Sequence, residues 1–176
     1  MNVFILNTGR CGSTTFIKAC QHITNYSSAH ESRSTLIGES RLAYPDNHIE
    51  ADNRLSWILG RLDNVYGDNA FYVHLSRDKN TTAESFAKRN EFGIMKAYRE
   101  GILMQEQENN SVLELAHDYI ETIESNIAFF LKDKTHTLVF SLENTEEGFR
   151  HFWQYINAEG DLEAALAEWK TSYNAS

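Results

Sequence analysis

Residues 7–15, Asn-Thr-Gly-Arg-Cys-Gly-Ser-Thr-Thr, hold the densest set of anion-binding groups in the chain. Gly9 and Gly12 allow the backbone to approach a ligand closely, Arg10 is a permanent cation, and Ser13, Thr14 and Thr15 supply hydroxyl donors. A glycine-containing turn between a strand and a helix aims backbone N–H groups at one point. The helix N-terminus adds partial positive charge, so a phosphate or sulfate fits there. Thr8 to Thr15 are therefore the expected binding residues. The pattern is not a Walker A loop, because two residues separate the glycines and no lysine follows the second. That disfavours ordinary ATP or GTP hydrolysis, and the absence of Gly-x-Gly-x-x-Gly leaves a dinucleotide fold unsupported. Read alone, the turn is equally a plain strand-to-helix connection with a polar rim.

A second candidate lies in His74-Leu-Ser-Arg-Asp-Lys-Asn-Thr-Thr-Ala-Glu-Ser-Phe-Ala-Lys-Arg89. Arg77 stands just past an apolar run, at the edge of an open α/β sheet where ligands bind. Ser85, eight residues later, falls on the following helix and can fold back toward the same anion.

The elements that must position these groups follow from hydrophobic patterning. Residues 2–6, 70–75 and 137–142 are short apolar runs that read as buried parallel strands, and 26–31 as a short further strand. Helical spacing starts at Ser13, with Ser13 or Thr14 as the expected N-cap. A helix is expected from about Glu50 to Asp63 and another from Thr81 or Thr82. Val112 to Leu131 keeps the 3–4 spacing for five turns, and two short amphipathic helices follow, one around Phe149 to Ile156 and one around Leu162 to Trp169. The polar stretch from Arg33 to Asn53 reads as mostly loop. Alternating strands and helices predict a three-layer α/β/α fold with a small central parallel sheet, as a single domain over 1–176.

Composition narrows the function. The 176 residues suffice for one domain with a core and are too few for two ordinary ones. A formal charge of −9 argues against general nucleic-acid binding, which needs a basic face, and leaves room for one small anion in a local cluster. The opening residues carry neither a signal-peptide pattern nor an apolar span, and Cys11 and Cys20 have neither disulfide nor metal-ligand spacing. A cytoplasmic protein with reduced thiols, no metal and no membrane span is expected. Oligomeric state is not readable.

Both motifs resemble those of the sulfotransferases that use 3′-phosphoadenosine 5′-phosphosulfate. TGRCGSTTF looks like the loop that grips the 5′-phosphosulfate, with Cys11 where serine is usual. LSRDKNTTAESFAKR looks like the strand, arginine and serine that grip the 3′-phosphate, with Lys79 replacing a proline. The likeness is closer still to tyrosylprotein sulfotransferases and their bacterial relatives, whose loop arginine is followed about twenty residues later by Glu-x-Arg. Here Glu31-Ser32-Arg33 stands 21 residues after Arg10. The resemblance implies a P-loop-like sulfotransferase fold, Glu31 as general base, Arg10 stabilising the leaving phosphate, and Glu143 near the end of the late strand. The glycine-rich C-terminal nucleotide clasp of the cytosolic branch is absent, leaving Trp169-Lys170 and Asn174-Ala175-Ser176 as candidates for that work. The region from Phe92 to Asn110 shows no matching motif.

The expected reaction moves a sulfuryl group in line to a hydroxyl or amine of an acceptor whose identity the sequence does not reveal. His30 is the neighbouring candidate base. Adjacent strand residues point to opposite faces, so only one of His30 and Glu31 is expected to face the cleft, and the spacing to Arg10 favours Glu31. Glu39, Arg41 and His48 are candidates for the edge of the acceptor pocket. Trp57, Phe86 and Tyr98 are candidate stacking residues for which a core role is the better expectation. The competing readings are a sulfotransferase-like module that binds the nucleotide without turnover and, less well supported, an atypical nucleotide kinase.

Overall fold

The computed structural model describes residues 1–105 and 110–171. Its centre is a parallel sheet of β1 (Asn2–Leu6), β2 (Ser27–His30), β3 (His48–Ala51), β4 (Ala70–Ser76) and β5 (Thr137–Ser141), in the order β2-β3-β1-β4-β5. β1 is the middle strand, with Val3 opposite both Ile49 and Phe71. A parallel sheet needs both faces covered, so its central strands read as continuous apolar runs, and all five residues of β1 are buried.

Helices α1 (Ser13–Cys20), α6 (Thr145–Tyr155) and α7 (Leu162–Glu168) cover one face. Their buried residues Phe16, Ile17, Phe149, Phe152 and Leu166 pack on Val3, Ile5, Val73 and Phe140. Helices α2 (Leu59–Tyr66), α3 (Lys79–Ala87), α4 (Gly93–Ala97) and α5 (Val112–Leu131) cover the other. Leu62, Ala83, Phe86, Met95, Tyr119 and Ile123 pack there on Phe4, Leu6 and Tyr72. The three-layer α/β/α arrangement is as the alternation of strands and helices predicts. Among the described residues no helix is long and apolar enough to cross a membrane, and Cys11 and Cys20 are both buried free thiols.

Two expectations need correction. The stretch from Arg33 to Asn53 contains β3, and the helix expected from Glu50 is replaced by the end of β3, a single 3₁₀ turn (Asn53–Trp57) and then α2. The polar residues of β3 hid it. His48 and Glu50 are buried, with Nε2 of His48 2.9 Å from Glu50 Oε2 and Nδ1 2.8 Å from Ser27 Oγ. The strand satisfies its polar side chains laterally, so it lacks an apolar signature.

The connections on either side of the sheet centre set the site. After β1 the chain enters α1 on one face, and after the adjacent β4 it enters α3 on the other. Neighbouring strands whose connections part in this way leave a crevice beyond their carboxyl ends. A strap from the far end of the chain reinforces α1. Thr24 N donates to Glu159 O at 2.7 Å and Asp161 N to His22 O at 3.1 Å. His22 Nε2 meets Glu168 Oε1 at 3.0 Å just past the end of α1, and Trp169, the residue after α7, packs edge-on against Phe16 of α1 with ring centroids 5.8 Å apart.

His74 on β4 gives the fold a pH signature. Burial pushes its pKa down, Glu124 works in the opposite direction, and its buried Nε2 has no hydrogen-bond partner among the described residues. The unfolded chain takes up this proton near pH 6.5, whereas the folded chain resists it. The contribution is therefore level above that pH and destabilising as pH falls through it toward the lower folded value. Urea midpoints of wild type and His74→Leu, measured between about pH 8 and about pH 5, are expected to diverge toward acid with the wild type falling more steeply. Parallel curves would show that the imidazole is not the group responsible.

Candidate functional site

The turn between β1 and α1 is built around a buried asparagine. Asn7 donates from Nδ2 to Ile5 O at 2.9 Å and accepts from Gly9 N at 2.8 Å. Tyr119 OH donates to Thr8 O at 2.8 Å, and Ser56 Oγ to Asn7 O at 3.1 Å. Within this frame Gly9, Arg10 and Gly12 all have positive φ, at 90°, 59° and 87°. Gly12 is the N-cap of α1 and supplies no side-chain cap, so Ser13 and Thr14 lie in the first turn rather than capping it. The first N–H groups of a helix lack intrahelical partners, and an anion is one group that can serve them.

The second motif meets the first directly. Arg77 leaves the end of β4, and Asp78 caps α3 by accepting from Thr81 N at 2.8 Å. α3 then carries Ser85 to the turn, where its Oγ accepts from Arg10 Nε at 2.9 Å. Arg77, Lys88 and Lys170 have no side-chain hydrogen bond or ion pair among the described residues.

These groups line a cleft of about 830 Å³ with an unusual charge balance. Arg10, Arg54, Arg77, Lys88, Arg89 and Lys170 face it against Glu31 and Glu84, although the whole chain has 16 basic and 25 acidic residues. Desolvation lowers the Arg10 pKa, and the neighbouring charges of Arg89 and Arg77 lower it further. Crowded cations in a chain rich in carboxylates make a field suited to a multiply charged anion. The rest of the lining is partly apolar, with Phe86, Phe92, Met95, Leu142 and Trp169.

His30 and Glu31 both line the cleft, which corrects the expectation that strand alternation would admit only one. β2 ends at His30, and Glu31 turns left-handed with φ 51°, so alternation stops between them. His30 Nε2 lies 3.0 Å from Ser13 Oγ, and the Glu31 carboxylate pairs with Arg54 Nη1 at 2.9 Å. A non-glycine residue held left-handed costs on the order of 1 kcal/mol or more and persists where its surroundings over-determine it. Arg10 and Glu31 are two of five such residues among those described, and both line the cleft.

Of the residues expected from sequence, Gly9, Arg10, Gly12, Ser13, Thr14, Thr15, His30, Glu31, Arg77 and Ser85 line the cleft. Thr8 and Cys11 do not. Thr8 hydrogen-bonds to the Gly9 carbonyl, and Cys11 is fully buried with Sγ 3.6 Å from Asn7 Oδ1. Burial, the largest influence, pushes the Cys11 thiol up to about 12, so it is a packing group rather than a thiolate. Arg41 and His48 are also buried away from the cleft, Arg41 against Asp52 at 2.5 Å, and Glu39 is not in its lining. Trp57 and Tyr98 belong to the core cluster beneath α5, while Phe86 serves both the core and the cleft. Trp169 and Lys170 reach the cleft wall, and Asn174-Ala175-Ser176 lie outside the described residues.

Sequence reasoning missed Asn53, Arg54, Lys88 and Arg89. Lys88 and Arg89 follow Ser85 by three and four positions, the spacing that puts residues on one helix face. No group of three or more His, Cys, Asp or Glu among the described residues is arranged to hold a metal. No family model matches the chain, and comparison with curated proteins gives no match.

Of the two glycines in the turn, Gly12 has the less room for a side chain. Its φ is 87°, and an added Cβ would stand 2.7 Å from Leu142 Cδ1. Gly12→Ala is expected to cost about 1–3 kcal/mol in urea unfolding and to weaken whatever anion binding a titration with inorganic phosphate detects in the wild type. Adding Leu142→Ala should relieve the contact without restoring the backbone preference. Full recovery of binding in the double variant would show that only the clash mattered.

Proposed function

We propose that this protein is a sulfotransferase, using 3′-phosphoadenosine 5′-phosphosulfate to sulfate a hydroxyl or amine acceptor. One observation carries the reading. Two motifs 75 residues apart meet through the Arg10–Ser85 hydrogen bond, in a cationic cleft at the carboxyl edge of a parallel sheet. The strand–turn–helix opening and the parallel sheet support a P-loop-like sulfotransferase fold. The buried free thiols are compatible with a reducing, cytoplasmic setting.

In the proposed reaction the α1 turn holds the phosphosulfate, and Arg77 with Ser85 holds the 3′-phosphate. The acceptor oxygen or nitrogen attacks sulfur in line, the bond from sulfur to the bridging phosphate oxygen breaks, and 3′-phosphoadenosine 5′-phosphate departs. Arg10 and the first N–H groups of α1 offset charge growing on that phosphate. Glu31 takes the acceptor proton, a contribution of roughly 10²–10⁴-fold for a well-placed base. His30, hydrogen-bonded to Ser13, orients the rim beside it.

A nucleotide-binding module without turnover is the second reading, favoured by the Glu31–Arg54 ion pair, which occupies the carboxylate. Calorimetric titration with 3′-phosphoadenosine 5′-phosphate, AMP and ATP separates the nucleotide question from the catalytic one. Binding is expected to require the 3′-phosphate and to be lost in Arg77→Ala, and equal affinity for ATP would overturn the assignment. Glu31→Ala should keep the nucleotide affinity and lose transfer by about 10²-fold or more. Undiminished transfer would remove Glu31 as the base.

A further inference from the structure

Glu31 is held in the cleft by contacts from one short stretch, Glu50 to Arg54. Glu31 N donates to Ala51 O at 2.9 Å, extending the β2–β3 ladder one residue beyond β2. Ser32, the next residue, donates its N–H to Glu50 Oε1 and its hydroxyl to Glu50 Oε2, each at 2.7 Å. The Glu31 carboxylate accepts from Arg54 Nη1 at 2.9 Å. Arg54 is itself fixed, since its backbone N–H donates to Asp52 Oδ1 at 2.9 Å and Asp52 Oδ2 pairs with Arg41 Nη2.

Glu50 and Asp52 have no exposed surface. Burying a carboxylate carries a desolvation penalty that a partner seldom more than offsets, so such pairs are weak grounds for stability. Their placement is better explained by what they orient. Both are fully engaged, with His48 completing the set of partners on Glu50, so the network is rigid. It converges on a left-handed residue that lines the cleft and that, without such support, would relax to a commoner backbone conformation.

We infer that Glu50 and Arg54 are positioning residues for the Glu31 carboxylate, Glu50 through the backbone of Ser32 and Arg54 through a direct ion pair. What the carboxylate does there rests on the sulfotransferase reading; how it is held rests on the hydrogen bonds alone. Arg54 is the exposed tie and Glu50 the buried one.

The test uses Arg54→Gln, Ser32→Ala and Glu50→Gln in the whole protein, with Arg54→Lys as the conservative variant. Ser32 and Arg54 are exposed, so their variants decide the matter even if Glu50→Gln does not fold. With transfer measured, kcat should fall about tenfold or more in Arg54→Gln and Glu50→Gln, since displacing a reacting group by about 1 Å can cost 10²-fold. Affinity for 3′-phosphoadenosine 5′-phosphate should stay within about twofold in Glu50→Gln and in Arg54→Lys, which keeps the cleft charge, and Arg54→Lys should recover part of kcat. In a Glu31→Ala background, Arg54→Gln should have no further effect. A fall of equal size in that background, or an unchanged kcat, overturns the inference. Carboxyl and amide NMR resonances of Glu31 and Ser32 give a second readout, expected to move together in Arg54→Gln and Glu50→Gln. If the wild type binds nucleotide but transfers nothing, the catalytic reading fails and the resonances alone decide. Signals unmoved by either substitution then overturn the positioning role.

Discussion

The side chain of Asn7 does what secondary structure cannot do at the point where β1 stops and α1 begins. The sheet ladder has ended, the helix has not started, and the chain must reverse among packed residues where an unpaired backbone group is costly. Asn7 supplies one donor to the strand behind it and one acceptor to the Gly9 N–H ahead of it. Tyr119 and Ser56 satisfy the carbonyls of Thr8 and Asn7 from the opposite layer. With those groups paired, the turn can hold Gly9, Arg10 and Gly12 left-handed and present α1 end-on to the cleft. The Arg10–Ser85 contact and the cation cluster both follow from that geometry.

Charge is segregated rather than balanced across the molecule. Acidic residues dominate the sequence, yet three cations at the cleft, Arg77, Lys88 and Lys170, form no ion pair among the described residues. Elsewhere several lysines and arginines are held in ion pairs, as with Lys79 and Glu121 or Lys134 and Asp63. An acidic exterior around a basic crevice repels polyanions at long range and attracts a small anion at short range, where screening by salt is weakest.

How much of this was legible in sequence depended on whether a residue's role showed in its own chemistry. β1, β4 and α5 are apolar runs or stripes whose burial is written in composition, whereas β5, expected to be buried, is an edge strand in which only Phe140 is buried and Val139 is exposed. The two motif arginines and Ser85 were legible as neighbours because two turns, each a weak signal alone, both fall just past apolar strands at the same sheet edge. β3 was not, because its histidine and glutamate pair sideways and disguise a buried strand as a loop. Losing β3 displaced the following helix and so concealed Arg54, which sits on the single turn the strand leads into. Thr8 and Cys11 erred the other way. Their place in the motif suggested ligand contact, whereas the left-handed residues around them turn their side chains inward.

The strap that ties α7 to α1 joins residues 146 apart, and it delivers Trp169 and Lys170 to a cleft whose floor is made near the start of the chain. During ribosomal synthesis the turn between β1 and α1 therefore emerges long before the wall that completes the cleft. A nascent chain would display crowded guanidinium groups with no means of enclosing a ligand until nearly the whole fold has been translated. Any ligand capture in the cleft then becomes a late event that reports on long-range closure, and a group bound across it would lock the two distant segments together against fraying.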